Sequence, residues 1–117
     1  MSGIVSYHAG LAAEGAVAAD YGRRGLPVVG QRWRGAVGEI DLIVRDGPAV
    51  IFVEVKRARD FARAAERLTR AQAERIWATA TEFLAGEPRG QLTEARFDLA
   101  LVDGVGRVRI IENVTID

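Results

Sequence analysis

A chain of 117 residues, 49% apolar and 27% charged, is long enough to bury a sizeable core and is expected to form one domain over residues 1–117. Cysteine is absent and histidine occurs once, which excludes a disulfide framework, a thiolate metal site and a His-based triad. The 16 basic and 16 acidic residues cancel, so any hold on nucleic acid must rest on a local patch. No apolar run is long enough to span a membrane. Residues 1–8, Met-Ser-Gly-Ile-Val-Ser-Tyr-His, lack the basic-then-apolar pattern of a secretory signal. The expectation is a cytoplasmic protein with no membrane partner.

From His8 to about Arg24 the chain reads as an Ala-rich helix closed by Gly25 and Pro27. Leu11, Glu14, Val17, Ala18 and Tyr21 fall on one stripe at spacings of three and four, which makes Glu14 a carboxylate on an otherwise apolar face. Leu26 to Trp33 reads as a short strand, with Pro27 at its start where no ladder donor is needed. After a connector at Arg34–Val37 come two strands joined by a turn at Asp46-Gly47-Pro48. Phe61 to Leu84 reads as one long helix with a stripe of Leu68, Ile76, Ala80, Phe83 and Leu84. Gln72 lies in the middle of that stripe, polar where the periodicity asks for an apolar residue. Gly86, Pro88 and Gly90 end the element. Arg96–Val102 reads as a strand, Asp103–Gly106 as a turn and Arg107–Ile116 as a final strand. The order is α-β-β-β-α-β-β, an α/β (α+β) class, with no internal repeat.

The hairpin carries the chemistry. Side chains alternate between faces along a strand, so Glu39, Asp41 and Ile43 share one face of the first strand and Val50, Phe52, Glu54 and Lys56 one face of the second. A loop over Asp46–Ala49 pairs Arg45 with Val50. It thereby sets Ile43 opposite Phe52, Asp41 opposite Glu54 and Glu39 opposite Lys56. A one-residue slip would separate Asp41 from Glu54. Spacing alone admits either a half-solvated sheet with charges facing water or a site. Two details favour a site. The same face is apolar near the turn, and two carboxylates directly opposite repel by about 4 kcal/mol at 4 Å and an effective dielectric near 20. A hard divalent cation relieves that repulsion, and oxygen-only ligands suit Mg²⁺ or Mn²⁺. Lys56, one pleat beyond Glu54, is placed to orient a water or to stabilise charge on a phosphate oxygen.

Asp41 followed by Glu54-x-Lys56 at the end of an apolar strand resembles the PD-(D/E)XK nuclease superfamily. The chain is more closely similar to one bacterial group within it, the YraN family of small endonuclease-like proteins. The resemblance is carried by Gly10-Leu11-Ala12-Ala13-Glu14, Trp33-Arg34, Gly38-Glu39-Ile40-Asp41-Leu42-Ile43, Phe52-Val53-Glu54-Val55-Lys56, Arg96-Phe97-Asp98 and Ile111-Glu112-Asn113. It implies a restriction-endonuclease-like core, a central mixed sheet of about five strands flanked by helices. It also implies a metal held by Asp41, Glu54 and the Val55 carbonyl. Lys56 would assist the attacking water, Glu14 would reach the site from the first helix, and Gln72 would face it from the later one. The family's basic residues before Gly-Glu-Ile-Asp are replaced here by Ala36 and Val37, and an arginine after the lysine by Ala58, which thins the local positive charge.

Arg34, Arg57 and Arg59 adjoin the proposed site and are candidates to hold phosphates. Arg63, Arg67, Arg70 and Arg75 are interleaved with Glu66, Glu74 and Asp60, which is also the pattern of a helix surface laced with ion pairs. Glu39 is read as a partner of Lys56 behind the metal ligands. Trp33 is assigned to packing before base stacking, His8 to the surface, and Asp98 to a structural tie with Arg96. No segment has phosphate-loop spacing. The expectation is a Mg²⁺- or Mn²⁺-dependent endonuclease acting on structured or branched DNA. By analogy with nucleases that cut two strands, a homodimer is compatible with this. The alternative is a non-catalytic nucleic-acid-binding or scaffold protein that keeps the fold.

Overall fold

The structure, a computed structural model, describes the backbone over residues 3–115 and the side chains over residues 8–115. Helix α1 (Gly3–Arg23) precedes strands β1 (Val28–Arg34), β2 (Glu39–Asp46) and β3 (Ala49–Arg57). Helices α2 (Phe61–Glu66) and α3 (Arg70–Leu84) follow, then a 3-10 turn at Gly90–Leu92 and strands β4 (Ala95–Val102) and β5 (Val108–Ile111). The strands form a five-stranded sheet in the order β1-β2-β3-β4-β5, antiparallel throughout except for the parallel pair β3–β4. A parallel pair needs a crossover connection, and α2 and α3 supply it. This is the mixed, helix-flanked sheet that the sequence leads one to expect.

Helices cover both faces of the sheet. Ala13, Val17 and Tyr21 of α1 pack on Leu42, Val44 and Val53. Ala73, Ile76 and Ala80 of α3 pack on Ile43, Phe52 and Phe97 of the other face. That is why Leu42–Val44 and Val50–Val53 are continuous apolar runs rather than alternating ones. On the α3 side, Phe52 meets both Trp77 and Phe83 edge to face, and Trp33 meets Phe83 with ring centroids 5.4 Å apart. Trp33 is thus a packing residue.

Besides α1, which begins at Gly3 and not at His8, two elements depart from the sequence reading. The segment 61–84 is two helices. Asp60 caps α2 by accepting the Arg63 N–H. Thr69 opens α3 with a capping box, its hydroxyl accepting the Gln72 N–H and its own N–H donating to Gln72 Oε1. A capping box satisfies the orphan donors of a helix start locally, so the chain turns at residues 67–69. Leu68 sits in the break and packs toward both helical clusters. The last strand is also shorter than expected. β5 stops at Ile111 because Asn113 adopts φ 55° and donates its N–H to Asp98 Oδ1 at 3.0 Å. The expected end of that strand, Ile116, lies outside the described residues.

Asp98, fully buried on β4, joins three parts of the molecule. It accepts the Tyr21 hydroxyl of α1 at 2.7 Å, Arg96 Nε and Nη2 at 3.0 and 3.2 Å, and the Asn113 N–H. Burial first, then Asp98, pushes the Tyr21 hydroxyl far above its ordinary pKa, so it remains a donor. Asp98→Ala leaves the buried Tyr21 hydroxyl and the Asn113 N–H without their acceptor, while Arg96 keeps Glu112, and is expected to cost about 2–4 kcal/mol. Tyr21→Phe removes one hydrogen bond to a charge and is expected to cost about 2 kcal/mol. Urea unfolding of the two variants beside the parent protein measures both.

Candidate active site at the end of the hairpin

The hairpin has the anticipated register. Arg45 pairs with Val50 and Ile43 with Phe52. Asp46 and Ala49 pair as well, so the turn closes on Gly47 and Pro48 alone, with Gly47 at φ 57°. The backbone ladder ends at Leu42–Val53. Beyond it, Asp41 Oδ2 accepts the Val55 N–H at 2.8 Å, so a side chain takes the place of a ladder carbonyl. Strict alternation is not kept across Asp41, because Ile40 packs with Ile43 in the α3-side cluster and not with Leu42. Glu39 is consequently not a ladder partner of Lys56. It receives Arg34 Nη2 at 3.1 Å instead, along the edge formed with β1.

Asp41, Glu54 and Lys56 come together. Glu54 lies close enough to Asp41 for the two carboxyl groups to act on each other. Lys56 Nζ lies 3.4 Å from Glu54 Oε2, with the two side chains only 16% and 14% exposed. Burial pushes the Glu54 carboxyl up to about 8, and Asp41 adds to this, while Lys56 pulls the other way. One lysine therefore does not neutralise the pair, and the Glu54 carboxyl keeps its proton well above the usual carboxylate range.

The remaining predicted residues are distributed around this trio. Glu14 is engaged by Arg32, whose Nε and Nη2 lie 3.2 and 3.5 Å from its two oxygens. Among the described residues no three Asp, Glu or His side chains are grouped closely enough to form a ligand set. Gln72 borders two cavities. The larger, about 1070 Å³ and open to solvent, lies at the carboxyl ends of β3 and β4 between α1 and the α2–α3 connection. Lys56, Arg57, Arg59, Arg67 and Gln72 line it. The smaller, about 130 Å³, is bordered by Glu39, Glu54, Gln72 and Arg75. Arg34 borders neither, being 80% exposed on β1. Arg63 and Arg70 are bonded to Asp60 and Glu74, as helix-surface pairs. Arg67 stood among the helix arginines for which the sequence left phosphate binding and surface ion pairing open. Its place in the cleft follows from the break between α2 and α3, for which the Thr69-x-x-Gln72 capping pattern was the available signal. His8 is exposed.

Fold and trio together define an α+β protein with a restriction-endonuclease-like core and an Asp…Glu-x-Lys constellation at the carboxyl end of a central strand. The sequence model of the uncharacterised protein family UPF0102 matches residues 13–102. The chain belongs to that family, the YraN-like group that its motifs resemble. It is 65% identical over 113 residues to a UPF0102 protein of Cereibacter sphaeroides strain KD131, an alignment covering 97% of each chain. It is 60% identical over 111 residues to one of Ruegeria pomeroyi, covering 95% of this chain and 90% of the relative. A UPF0102 protein of Roseobacter denitrificans is 53% identical over 112 residues, with 96% and 87% covered.

The raised Glu54 pKa sets a pH dependence for the metal-free protein. The folded state holds a proton that the unfolded chain releases near 4.5, so this group's contribution is fully present below that value and is lost as pH rises through about 8. In EDTA, stability is expected to fall by roughly 2 kcal/mol between about pH 6 and 9. Glu54→Gln, which carries no titrating proton, should flatten that slope. Urea midpoints across the pH series for both proteins decide it, and equal slopes would remove the assignment.

Proposed function

We propose that this protein is a Mg²⁺- or Mn²⁺-dependent endodeoxyribonuclease acting on structured or branched DNA. The observation that carries the reading is the convergence of Asp41, Glu54 and Lys56, with Glu54 bordering the smaller cavity and Lys56 lining an open cleft that also holds Arg57, Arg59 and Arg67. Two carboxyl groups in contact, both at the end of one hairpin, fit a hard divalent cation by their chemistry, since it would offset the burial and charge repulsion that now raise the Glu54 pKa. Asp41, Glu54 and the Val55 carbonyl are the groups that would hold it. When bound, such an ion supplies charge to a phosphoryl oxygen and acidifies a water.

The chain's own residues do the rest. Asp41, fixed by the Val55 N–H, orients the site relative to the β3 backbone. Lys56 places its ammonium beside Glu54, where it stabilises negative charge developing on a phosphate oxygen. Gln72 has its Oε1 committed to the Thr69 N–H, which leaves its amide N–H groups as donors to the cleft. The position at the carboxyl end of a strand leading into a crossover is where open α/β sheets bind ligands. A second reading, a nucleic-acid-binding protein without catalysis, is favoured by the Glu14–Arg32 pair, which occupies the third expected carboxylate.

Cleavage of single-stranded, duplex, flap and four-way-junction DNA with Mg²⁺ or Mn²⁺ separates the two readings. Under the first, Asp41→Asn and Glu54→Gln lose on the order of 10²–10³-fold in rate, and Lys56→Ala about 10²-fold. Mn²⁺ then raises the melting temperature of the parent protein and not of the two carboxylate variants. Binding without cleavage, together with no thermal shift, would establish the second.

A further inference from the structure

The cleft beside the trio has an uneven chemistry for a chain of zero net charge. Four of its lining side chains are cationic, Lys56, Arg57, Arg59 and Arg67, against two acids, Glu66 and Asp103. Asp103 is already committed, since it accepts the Val105 and Arg107 N–H groups and the Arg107 guanidinium. Arg59 and Arg67 are exposed and form no ion pair among the described residues. Their backbones are nonetheless fixed. The Arg59 carbonyl accepts the Gly104 N–H at 3.1 Å, and Arg67 closes α2 by donating to Ala64. Two exposed cations, of which Arg59 has only a charge attraction to the neighbouring Asp60, thus stand on anchored backbone at one wall of an open groove.

The opposite wall offers nothing that discriminates bases. It is built by Ala9, Ala12, Ala13 and Ala16 of α1. None of the described lining side chains is aromatic, and Gln72, whose Oε1 accepts the Thr69 N–H, has its acceptor committed, so the donor–acceptor pair with which an amide reads a base edge is broken. Trp33, Trp77, Phe52, Phe83 and Phe97 are packed against one another on the α3 side, and Phe61 lies under Arg109. Nucleic-acid sites that engage bases do so with aromatic platforms or with side chains aimed at base edges. Phosphate contacts, in contrast, need only well-placed cations and carry no sequence information.

We infer that Arg59 and Arg67 grip the phosphate backbone of the strand in this cleft and that this hold is independent of base sequence. The inference rests on the nuclease reading for the nature of the strand, and adds to it the recognition mode and the residues that provide it.

Fluorescence anisotropy with the Glu54→Gln protein in EDTA isolates binding from cleavage. Labelled oligonucleotides of one shape and several unrelated sequences are titrated over a range of salt. Affinities are expected to agree within about threefold across sequences. Arg59→Ala and Arg67→Ala should each weaken binding about tenfold, uniformly, and each should lower the slope of log affinity against log salt by about 0.7–0.9. Neither variant removes a backbone bond, and circular dichroism checks that each is folded. A preference above about tenfold for one sequence, an unchanged salt slope in both variants, or no binding at all would overturn the inference. Uniform, arginine-dependent binding with no cleavage by the parent protein keeps the inference and discards the nuclease reading. Cleavage that is indifferent to both arginines discards the inference and keeps the nuclease reading.

Discussion

The bond from the Val55 N–H to Asp41 Oδ2, 2.8 Å long, is the constraint around which the candidate site is organised. The β2–β3 ladder stops at Leu42–Val53, and the next rung is made by a side chain. A carboxylate that substitutes for a carbonyl is held at a fixed place against β3. Glu54, the residue between Val53 and Val55, is then brought into contact with a second carboxyl group that cannot swing away. Burial first, and that contact second, push the Glu54 pKa up to about 8. Lys56 relieves it only in part. A protein that needed nothing but a stable sheet would have little reason to place two acids there, because like charges across a strand pair are destabilising.

The surrounding fold keeps this arrangement rigid. β3 is central, bonded to β2 on one side and to β4 on the other. α1, which forms one wall of the cleft, is tied to β4 by the Tyr21–Asp98 bond. The opposite wall is set by the Asp60 and Thr69 caps that start α2 and α3. At the far end, Asp103 gathers the β4–β5 turn, and Gly104 bonds the carbonyl of Arg59. Each wall is therefore anchored by a buried or capping carboxylate or hydroxyl, while the groove between them stays open.

Zero net charge and a basic cleft are reconciled by where the arginines are used. Arg24 pairs with Asp20, Arg45 with Glu87, Arg96 with Asp98 and Arg107 with Asp103. These bonds hold elements together and contribute nothing to an external field. Because the acids are spent on them, a few cations gathered at one place can still present a positive surface.

The apolar runs of β2 and β3, the alternation of Glu54 with Phe52 and Lys56, and the turn at Gly47-Pro48 were all legible in the amino-acid order, because strand periodicity and turn chemistry are local. They determined the hairpin, its register and the meeting of Asp41 with Glu54. The structural role of Asp98 was likewise readable from Arg96 two residues away. The partners of Glu14 and Glu39 were not readable, because they depend on which strand edge lies beside each side chain. Arg32 takes φ 50° in β1 and reaches α1, and Arg34 lies along β2. Gln72 looked like a polar intruder on one long helix. Its neighbours settled it as the third residue of a new helix, bonded back to Thr69 and bordering the cleft. Local sequence thus determined which groups are candidates for the chemistry, whereas tertiary packing decided which of them face a common space, since a side chain's partners are set by elements distant in the chain.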